Sequence, residues 1–364
     1  MNRIIISVTN DIVTDQRVIK TCDCFNEMGY EILLIGRKLK NSPDPEFSYK
    51  TIRFNLLFNR GFLFYAEYNM RLFIELFFRK KTILYANDLD TLLPNYLISR
   101  LSKTKLIYDS HEYFTEVPEL INRPRTRAFW LKLEKYIFPK LKNVITVNYK
   151  IAEYYTSKYK VPVTVIRNIP QSFKIKNPEQ FTQWDKKYKF IIYQGSLNLG
   201  RGLELMIDSM LHLKGYRLLI AGEGDISDKL KYQVERLHLQ EQVVFLGRIL
   251  PGKLKSITKQ AELGLSLEED LGLNYRYCLP NKVFDYIHAG IPVLVSELPL
   301  LKELIDENKI GTCLLQRNPA ALAAQIENMI LNKDKYLNGI EQCKAKYNWE
   351  NEKKSLINFI KEIE

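Results

Sequence analysis

The sequence predicts an α/β protein made of two doubly wound domains, each built on a parallel sheet. Two series of short apolar runs alternate with segments of helical periodicity, and a polar, proline-containing segment at residues 170–189 separates them. A chain of 364 residues is also too long for one ordinary hydrophobic core. Because short apolar strands alternating with helices are typical of parallel sheets covered on both faces, each series is interpreted as one domain.

The predicted strands are short and mostly apolar. Those of the first series are residues 4–8, 31–35, 82–85, 105–108, 143–147 and 163–166. Those of the second are residues 190–193, 217–220, 243–246, 263–266, 293–295 and 312–315. Helical periodicity fills the gaps, for example from Arg17 to Met28, where Gly29 ends the helix. The last segment, residues 336–364, is helical in pattern and has no strand after it.

Composition favours a soluble protein of the cytoplasm. Hydrophobic residues make up 46% and charged residues 26%, which is ordinary for a globular chain. The aromatic-rich region 54–78 is interrupted by charged residues, so it is not expected to span a membrane. The first residues lead directly into a strand and do not resemble a signal peptide. The five cysteines and four histidines lack the spacing of a zinc site, so reduced thiols and no bound metal are expected.

The positive charge is concentrated in the first half of the chain. Residues 1–170 hold 27 Lys and Arg against 17 Asp and Glu, a net charge of +10, whereas the remainder holds 27 against 25, or +2. No nucleic-acid recognition motif is present, so nucleic acid is not an expected partner. This asymmetry instead predicts that the first lobe meets an anionic surface.

Two basic, aromatic segments make an anionic membrane a candidate for that surface. In residues 53–81 the aromatic side chains are expected to pack inward against the sheet, which leaves the bases as a solvated face. Residues 123–142 have two equal alternatives. Either their aromatic side chains also pack inward and leave the bases in solvent, or they form a helix that lies in the membrane plane. Peripheral attachment to the inner face of the cell membrane is therefore a prediction from charge.

The second series carries the residues that predict a ligand site. Glu268, Glu269 and Asp270 follow one predicted strand, and Lys282 lies at the start of the helix that Pro280 opens. In a parallel sheet these side chains lie at the carboxyl edge of the strands, where ligands bind. Gly200-Arg201-Gly202 begins a second helix nearby in sequence order. Two helix amino-termini and an arginine could together hold a diphosphate.

With these motifs, the chain resembles glycosyltransferase family four, a large retaining family of the GT-B architecture with two facing Rossmann-like domains. The motifs that carry the resemblance are, in chain order, Asp15–Val18, Asp109–Glu112, Tyr193–Gly202, Ala221–Gly224, Val244–Arg248 and residues 280–293. The resemblance implies an acceptor-binding domain at residues 1–170 and a nucleotide-sugar-binding domain at 171–348. It also implies a terminal helix at 349–364 that crosses back to the first domain.

The resemblance implies a donor site in the second domain. The residues that it assigns to donor binding are Gly195, Ser196, Arg201, Gly222, Glu223, Gly224, Arg248, Asn274, Tyr275, Asn281, Lys282 and Asp285. Arg201 occupies the position at which the family has a phosphate-binding lysine or arginine. Ser196 stands where many members carry a second arginine, so Lys282 is expected to supply the missing charge. Asp285 takes the place of the family's second signature glutamate and is expected to accept hydrogen bonds from ribose hydroxyls.

Three residues are predicted to act near the transferred sugar: His111, Glu269 and Asp285. Tyr277 stands where the family's first signature glutamate would fall. Either Glu269 takes its sugar-binding role across an extended loop at 271–278, or Asn274 and Tyr275 shape the sugar pocket. The resemblance gives His111 an orienting or stabilising role, and a packed or capping histidine is the alternative.

The expected activity is a retaining glycosyl transfer without a metal or other cofactor and without a covalent nucleophile. Asp88-Leu89-Asp90 matches a metal-binding Asp-x-Asp by letter, but it is expected to start a helix in the acceptor-side domain. The donor would be a nucleoside-diphosphate sugar, and the acceptor a cell-surface glycan or a lipid-linked molecule. A sugar-nucleotide 2-epimerase and a non-catalytic binding subunit of the same architecture are the alternatives. The sequence assigns neither sugar, base nor oligomeric state.

Overall fold

The computed structural model describes residues 2–40, 42–117, 120, 123–171 and 187–363. The chain divides into two compact units. Unit one comprises Met1–Asn168 with Lys353–Glu364, and unit two comprises Ile169–Glu352. The predicted linker at 170–189 lies mostly outside the described residues.

Unit one is a seven-stranded parallel sheet of order β3-β2-β1-β4-β5-β6-β7. Its strands are β1 (Arg3–Asp11), β2 (Glu31–Arg37), β3 (Lys50–Phe54), β4 (Ile83–Asn87), β5 (Lys105–Ser110), β6 (Asn143–Thr146) and β7 (Val163–Val165). Its helices before unit two are α1 (Gln16–Glu27), α2 (Gly61–Phe78), α3 (Leu89–Ser102), α4 (Pro124–Ile137) and α5 (Tyr149–Tyr159). The central strands are almost fully buried, as expected when helices cover both faces.

Unit two is a six-stranded parallel sheet of order β10-β9-β8-β11-β12-β13. Its strands are β8 (Lys189–Gln194), β9 (Tyr216–Ala221), β10 (Val243–Gly247), β11 (Leu263–Ser266), β12 (Val293–Val295) and β13 (Gly311–Cys313). Its helices are α6 (Leu203–Ser209), α7 (Ser227–Arg236), α8 (Pro251–Thr258), α9 (Leu273–Arg276), α10 (Asn281–Ala289), α11 (Pro299–Asn308), α12 (Pro319–Leu331) and α13 (Asp334–Lys346). Two buried clusters, one on each side of this sheet, form its core.

The predicted fold class is confirmed, because both units are doubly wound parallel sheets. Every predicted strand is present, with ends shifted by a few residues. The sequence analysis missed β3, which pairs with β2 at the edge of the sheet. Lys50–Phe54 alternates polar and apolar residues and is mostly half-exposed, so it lacks the continuous apolar run that marked the other strands.

The inward packing that was predicted for the aromatic residues of 53–81 is correct for only one face of α2. Phe64, Tyr68, Leu72 and Leu76 are buried. The outward side chains are Phe62, Leu63, Met70, Ile74, Phe77 and Phe78, all more than half exposed. A helix that is apolar all round can turn only one side to the sheet, so the other side must face outward. Leu57 and Phe58, in the loop before α2, are exposed as well.

The final helix, α14 (Trp349–Ile363), begins in unit two and ends in unit one. Lys353 forms an ion pair with Glu27 of α1. Near the end of the helix, Lys105 Nζ donates a hydrogen bond to the carbonyl oxygen of Ile363 at 2.7 Å. These contacts tie the last residues of the chain to the helices and strands of unit one.

Candidate functional site

Glycines bring three strand ends of unit two into close contact. The Gly195 N–H, just after β8, donates to Ala221, and the Gly222 N–H, just after β9, donates to Gly247 at the end of β10, both at 2.9 Å. A Cβ at Gly222 would lie 1.9 Å from the carbonyl oxygen of Gly195, so only glycine fits there. Both residues have positive φ, which glycine adopts without strain. The glycines therefore allow the ends of β8, β9 and β10 to pack closely at the carboxyl edge, where ligands of parallel sheets bind.

Three charged residues meet beside these loops. Lys282 Nζ lies 2.7 Å from Glu268 Oε1, and Arg201 Nη1 lies 3.5 Å from the same oxygen. The hydroxyl of Ser266, at the end of β11, donates to Glu268 Oε2 at 2.7 Å. Glu268 is fully buried. Arg201 and Lys282 therefore lie at one carboxylate, and we call Arg201, Lys282 and Glu268 the cation cluster.

The charges of the cation cluster stabilise one another. Burial would raise the pKa of Glu268, but Lys282, Arg201 and the Ser266 hydroxyl outweigh it and lower the pKa to about 2. Burial would likewise lower the pKa of Arg201, and Glu268 raises it above its ordinary value. The carboxylate is therefore ionised at neutral pH, and the cluster of two cations and one anion has a net charge of +1.

Aromatic rings support both cations. The guanidinium of Arg201 lies 4.7 Å from the ring centroid of Tyr275, and Lys282 Nζ lies 4.2 Å from that of Tyr193. Tyr275 and the buried Asn274 belong to α9, a short helix within the segment that was predicted to be an extended loop. Tyr275 thus contacts the phosphate-binding candidate Arg201, and its ring gives the cation a favourable electrostatic partner.

Asp285, on α10, is held by the end of β8. Its Oδ2 accepts a hydrogen bond of 2.8 Å from the side-chain amide of Gln194. The other end of that amide accepts from Thr258 Oγ1, also at 2.8 Å. Asp285 is half-buried, so its carboxylate remains accessible in part. The arrangement fixes the orientation of the residue that was predicted to bind ribose.

The remaining predicted donor residues lie at the exposed rim. Arg248 and Glu223 form an ion pair of 3.1 Å in which both side chains are more than half exposed. Gly224 leaves no space for a side chain, because a Cβ there would lie 2.4 Å from the carbonyl oxygen of Leu197. Ser196 and Asn281 are exposed. None of these contacts includes the cation cluster.

The carboxylate in contact with the cations is Glu268, which was predicted to lie at the ligand-binding edge but, unlike Glu269, was given no specific role. The side chain of its neighbour Glu269 lies 3.5 Å from Arg317 Nη2 and is 39% exposed. A short alternation pointed to Glu268, because Ser266 and Glu268 alternate with Leu265 and Leu267 and so share one face of an extended chain. The sugar-binding role of Glu269 stays a prediction.

A cavity of about 410 Å³ adjoins the cation cluster at the ends of β11, β12 and β13. It is lined by Glu268, Glu269, Asp270, Ser296, Glu297, Leu298, Leu314, Leu315 and Arg317. The guanidinium of Arg317 donates to Ser296 Oγ at 3.0 Å and to the carbonyl oxygen of Leu267 at 2.8 Å. Carboxylates, a fixed arginine and leucine side chains together suit a hydroxyl-rich ligand such as a sugar.

In unit one, His111 lies between two carboxylates. Its Nδ1 is 3.1 Å from Asp88 Oδ2, and its Nε2 is 3.4 Å from Asp109 Oδ2. Its backbone N–H also donates to Asp88 Oδ1 at 2.8 Å. Burial opposes protonation of the ring, but Asp88 and Asp109 outweigh it and hold the pKa of His111 well above its ordinary value. His111 is therefore a cation whose two nitrogens both face acids.

Asp109 is the centre of this group. Arg17 donates to it through Nε at 2.9 Å and Nη2 at 2.6 Å, and the Tyr85 hydroxyl donates at 2.8 Å. Burial would raise the pKa of Asp109, but Arg17 and His111 hold it well below its usual range. Arg17 belongs to the first motif of the family resemblance, and its function here is to neutralise a fully buried carboxylate. We call Arg17, Asp109, His111 and Asp88 the histidine network.

Asp88 and Asp90 start α3, as predicted. Asp88 has a φ of +58°, and its side chain binds His111 instead of capping the helix. Asp90 accepts a hydrogen bond of 2.6 Å from Thr9 and has a second, buried oxygen without a partner. Burial, with a smaller contribution from Asp88, raises the pKa of Asp90 to about 8. Asp90 is therefore mostly protonated at neutral pH.

The described parts of the chain contain no group of three or more His, Cys, Asp or Glu residues suited to hold a metal ion. Among the same residues, no helix is long and apolar enough to cross a membrane.

Two family models match the sequence. The model described as "Glycosyltransferase Family 4" matches residues 16–170, and the model described as "Glycosyl transferases group 1" matches residues 174–346. An uncharacterized glycosyltransferase from Methanocaldococcus jannaschii is 27% identical over 242 residues, which cover 60% of this chain and 59% of that protein. The chain spans between 24% and 59% of the length of the curated relatives that it matches.

Solved structures share the fold over the whole chain. A sucrose-phosphate synthase from Thermosynechococcus elongatus has a TM-score of 0.82 at 16% identity, over 100% of this chain and 99% of that one. The Anabaena protein HepE, solved in complex with UDP-glucose, has a TM-score of 0.76 at 14% identity, with 100% of both chains covered.

Proposed function

The chain is a glycosyltransferase by its two domain models, Glycosyltransferase Family 4 over residues 16–170 and Glycosyl transferases group 1 over residues 174–346, and on that premise we propose that it transfers a sugar from a nucleoside-diphosphate donor. The acceptor in this proposal is a cell-surface glycan or a lipid-linked molecule, and the anomeric configuration is retained. The observation that carries the proposal is the cation cluster, which places Arg201 and Lys282 beside the glycine loops of unit two.

The cation cluster suits the chemistry of the leaving group. When the sugar departs, negative charge builds up on the diphosphate, and fixed cations lower the barrier because they require no rearrangement at that moment. Arg201 and Lys282 are fixed by the buried Glu268 and by the rings of Tyr275 and Tyr193. With Glu268 included, the cluster has a net charge of +1, which attracts a diphosphate. The UDP-glucose complex of HepE, which shares the fold, is consistent with this class of donor.

The donor's other parts have candidate partners around the cluster. Asp285 would accept hydrogen bonds from the ribose hydroxyls. The sugar would enter the adjoining cavity, where Glu269 and Arg317 offer acceptors and donors to its hydroxyls. Arg248 and Glu223 would meet the base at the exposed rim.

Because both ring nitrogens of His111 face carboxylates, the imidazolium is a poor general base, and we assign it no proton transfer. We propose same-face attack assisted by the leaving diphosphate, without an enzymatic nucleophile. We also propose that the two cations serve where other transferases use a metal, so that transfer should persist in EDTA.

The donor proposal is tested by isothermal titration calorimetry with UDP, GDP and ADP. Replacing Arg201 with Ala should weaken binding of the preferred nucleotide by about 1.5–3 kcal/mol, the scale of a hydrogen bond to a charged group. Arg217→Ala is the matched control, because that arginine also lies over a tyrosine ring, Tyr188, but near the start of β9 at the opposite edge of the sheet.

Equal affinity of the wild type and the Arg201→Ala variant would refute the assignment. Incubation with UDP-N-acetylglucosamine alone separates transfer from the epimerase alternative, since only an epimerase would convert it to an epimer without an acceptor.

We further propose that unit one contacts an anionic membrane at the cytoplasmic face, which would bring a lipid-linked acceptor within reach. The support is the charge of +10 on residues 1–170 and the exposed apolar side of α2. On α4, Arg123, Arg125 and Lys132 are exposed. Arg127, in contrast, binds Glu116 and the carbonyl oxygen of Thr115, so it contributes less to an outer surface than the sequence predicted.

A further inference from the structure

Glu268 uses both of its oxygens inside the protein. Oε1 faces Lys282 and Arg201, and Oε2 accepts from Ser266. The side chain is fully buried and ionised. Because the contacts of this buried carboxylate are with Lys282, Arg201 and Ser266, its function is sought in what it does to the two cations.

The fold brings the three charges together from separate segments. Glu268 follows β11 by two residues, Lys282 is in the first turn of α10, and Arg201 lies in the loop after β8. The Lys282 side chain runs past Gly195, where a Cβ would lie 3.6 Å from its Cε. Around Arg201 the chain is equally close-packed, because a Cβ at Gly200 would lie 3.0 Å from the Tyr275 ring. Lys282 is thus packed against the backbone at Gly195, and Arg201 follows a glycine that is packed against the Tyr275 ring.

We propose that Glu268 is a built-in counter-ion of the donor site, which positions Lys282 and Arg201 and competes with a diphosphate for them. The inference rests on the proposed function, because it assumes that a diphosphate is the anion that the cations receive. On this view Glu268 is a positioning residue. It keeps affinity for the nucleoside diphosphate moderate, so that the product of transfer can leave.

The physical reason is the sum of charges. With Glu268 ionised the cluster has a net charge of +1, and with a neutral residue of the same shape it would have +2. An anion bound to the cations lies near Glu268 in a partly buried site, where repulsion between two negative charges is stronger than in bulk water. Removal of that repulsion should tighten diphosphate binding, whereas loss of a purely structural residue should weaken it.

The test is Glu268→Gln, titrated with UDP and with inorganic pyrophosphate. We expect the Kd of both probes to fall about three- to tenfold, the scale of one charge at an effective dielectric constant between protein and water. The dependence of log Kd on salt should also become steeper, because one more unbalanced cation contributes. The control is Glu262→Gln, since Glu262 directly precedes β11 and pairs with Lys333 at 2.5 Å at the opposite edge of the sheet.

A double-mutant cycle keeps the test informative if the single variant folds poorly. Lys282→Gln should weaken pyrophosphate binding, and Glu268→Gln with Lys282→Gln restores the net charge of +1 and should regain much of the lost affinity. Unchanged or weaker binding by Glu268→Gln, without rescue in the double variant, would overturn the inference. If the wild type binds neither UDP nor pyrophosphate, the proposed function fails instead.

Discussion

The two units contain charge clusters of opposite design. In unit one the histidine network alternates cation and anion, so that Arg17, Asp109, His111 and Asp88 sum to zero. In unit two the cation cluster places two cations on the single carboxylate of Glu268 and keeps a charge of +1. Both lie at the carboxyl edges of parallel strands, yet only the second has charge left for an anionic ligand.

The net charges of the two whole units differ in the opposite sense. Unit one holds 30 Lys and Arg against 19 Asp and Glu, a net charge of +11, and unit two holds 24 against 23, a net charge of +1. The histidine network contributes nothing to the excess of unit one, whereas the charge of the cation cluster equals the whole excess of unit two. The difference indicates that the effect of a charge depends on its counter-ions. A paired buried charge mainly affects stability. An unpaired excess of buried cations is available to a small anion, and exposed bases are available to an extended anionic surface.

The largest effect should follow from breaking the histidine network at its centre. Asp109→Asn leaves Arg17, which is 4% exposed, without its counter-charge. Loss of one partner of a buried pair typically costs about 3–5 kcal/mol, and we expect that loss in the free energy of unfolding measured by urea denaturation. Pyrophosphate binding by the cation cluster should change little as long as the protein is folded.

The matched control for this variant is Glu31→Gln. Glu31 also receives two bonds from one arginine, Arg3, but both side chains are about 30% exposed. An exposed pair contributes about 0–1 kcal/mol. If Asp109→Asn were no more destabilising than Glu31→Gln, the histidine network would not be a stability element and the contrast between the units would fail.

The strands of both units and the two cations of the cation cluster could be predicted, because each depends on a local sequence pattern. Apolar runs and glycine stops gave both sheets except β3, whose half-exposed edge position removes the apolar run. Arg201 and Lys282 were found because each lies at a helix start beside a strand end. Glu268 was placed at the ligand edge, but its contact with Lys282 was not predicted, because the two residues are 14 positions apart and the sugar-binding role was given to Glu269.

His111 shows the same limit. Its place after β5 could be read from the sequence, but not its ionisation, which depends on Asp88 across a separation of 23 residues. The exposed apolar side of α2 could not be predicted either. Aromatic residues occur on all sides of this helix, so their positions do not indicate which side packs on the sheet.

A second, smaller effect concerns Asp90, which lies beside the histidine network. Its pKa rises from 3.8 in the unfolded chain to about 8 in the folded protein. Between these values the folded state holds a proton that the unfolded state has released, so stability falls as the pH rises through this window. The asparagine of the Asp90→Asn variant cannot ionise, so the variant should not lose this stability as the pH rises. The difference in unfolding free energy between variant and wild type should therefore shift in favour of the variant by roughly 2–4 kcal/mol from pH 5 to pH 8.

The control for Asp90→Asn is Asp228→Asn. Asp228 also lies in the first turn of a helix, α7, but is exposed, and its removal should cost under about 1 kcal/mol. Parallel pH profiles for wild type and Asp90→Asn would mean that Asp90 is ionised, and the histidine network would then have a net negative neighbour.

The smallest effect per residue is expected at the outer surface of unit one, where each base near an anionic membrane contributes about 1 kcal/mol. Neutralising Arg123, Arg125 and Lys132 should reduce sedimentation with anionic vesicles at low salt, and the wild type should not bind zwitterionic vesicles. Binding should weaken as salt rises, because these charges act through solvent. Arg127 is left unchanged, since its bond to Glu116 belongs to the fold.

The control removes the same number of charges from exposed lysines of unit two, Lys231, Lys259 and Lys335. If the outer charge of unit one is what meets the membrane, the control variant should sediment like the wild type. The apolar side of α2 separates a second contribution: Phe77→Ser with Phe78→Ser should lower the part of the binding that survives high salt, because burial of apolar side chains is not screened. Equal recovery with both lipids, or equal losses in both charge variants, would show that the bases of α4 are a solvated face, and the contrast between the two units would then be confined to their interiors.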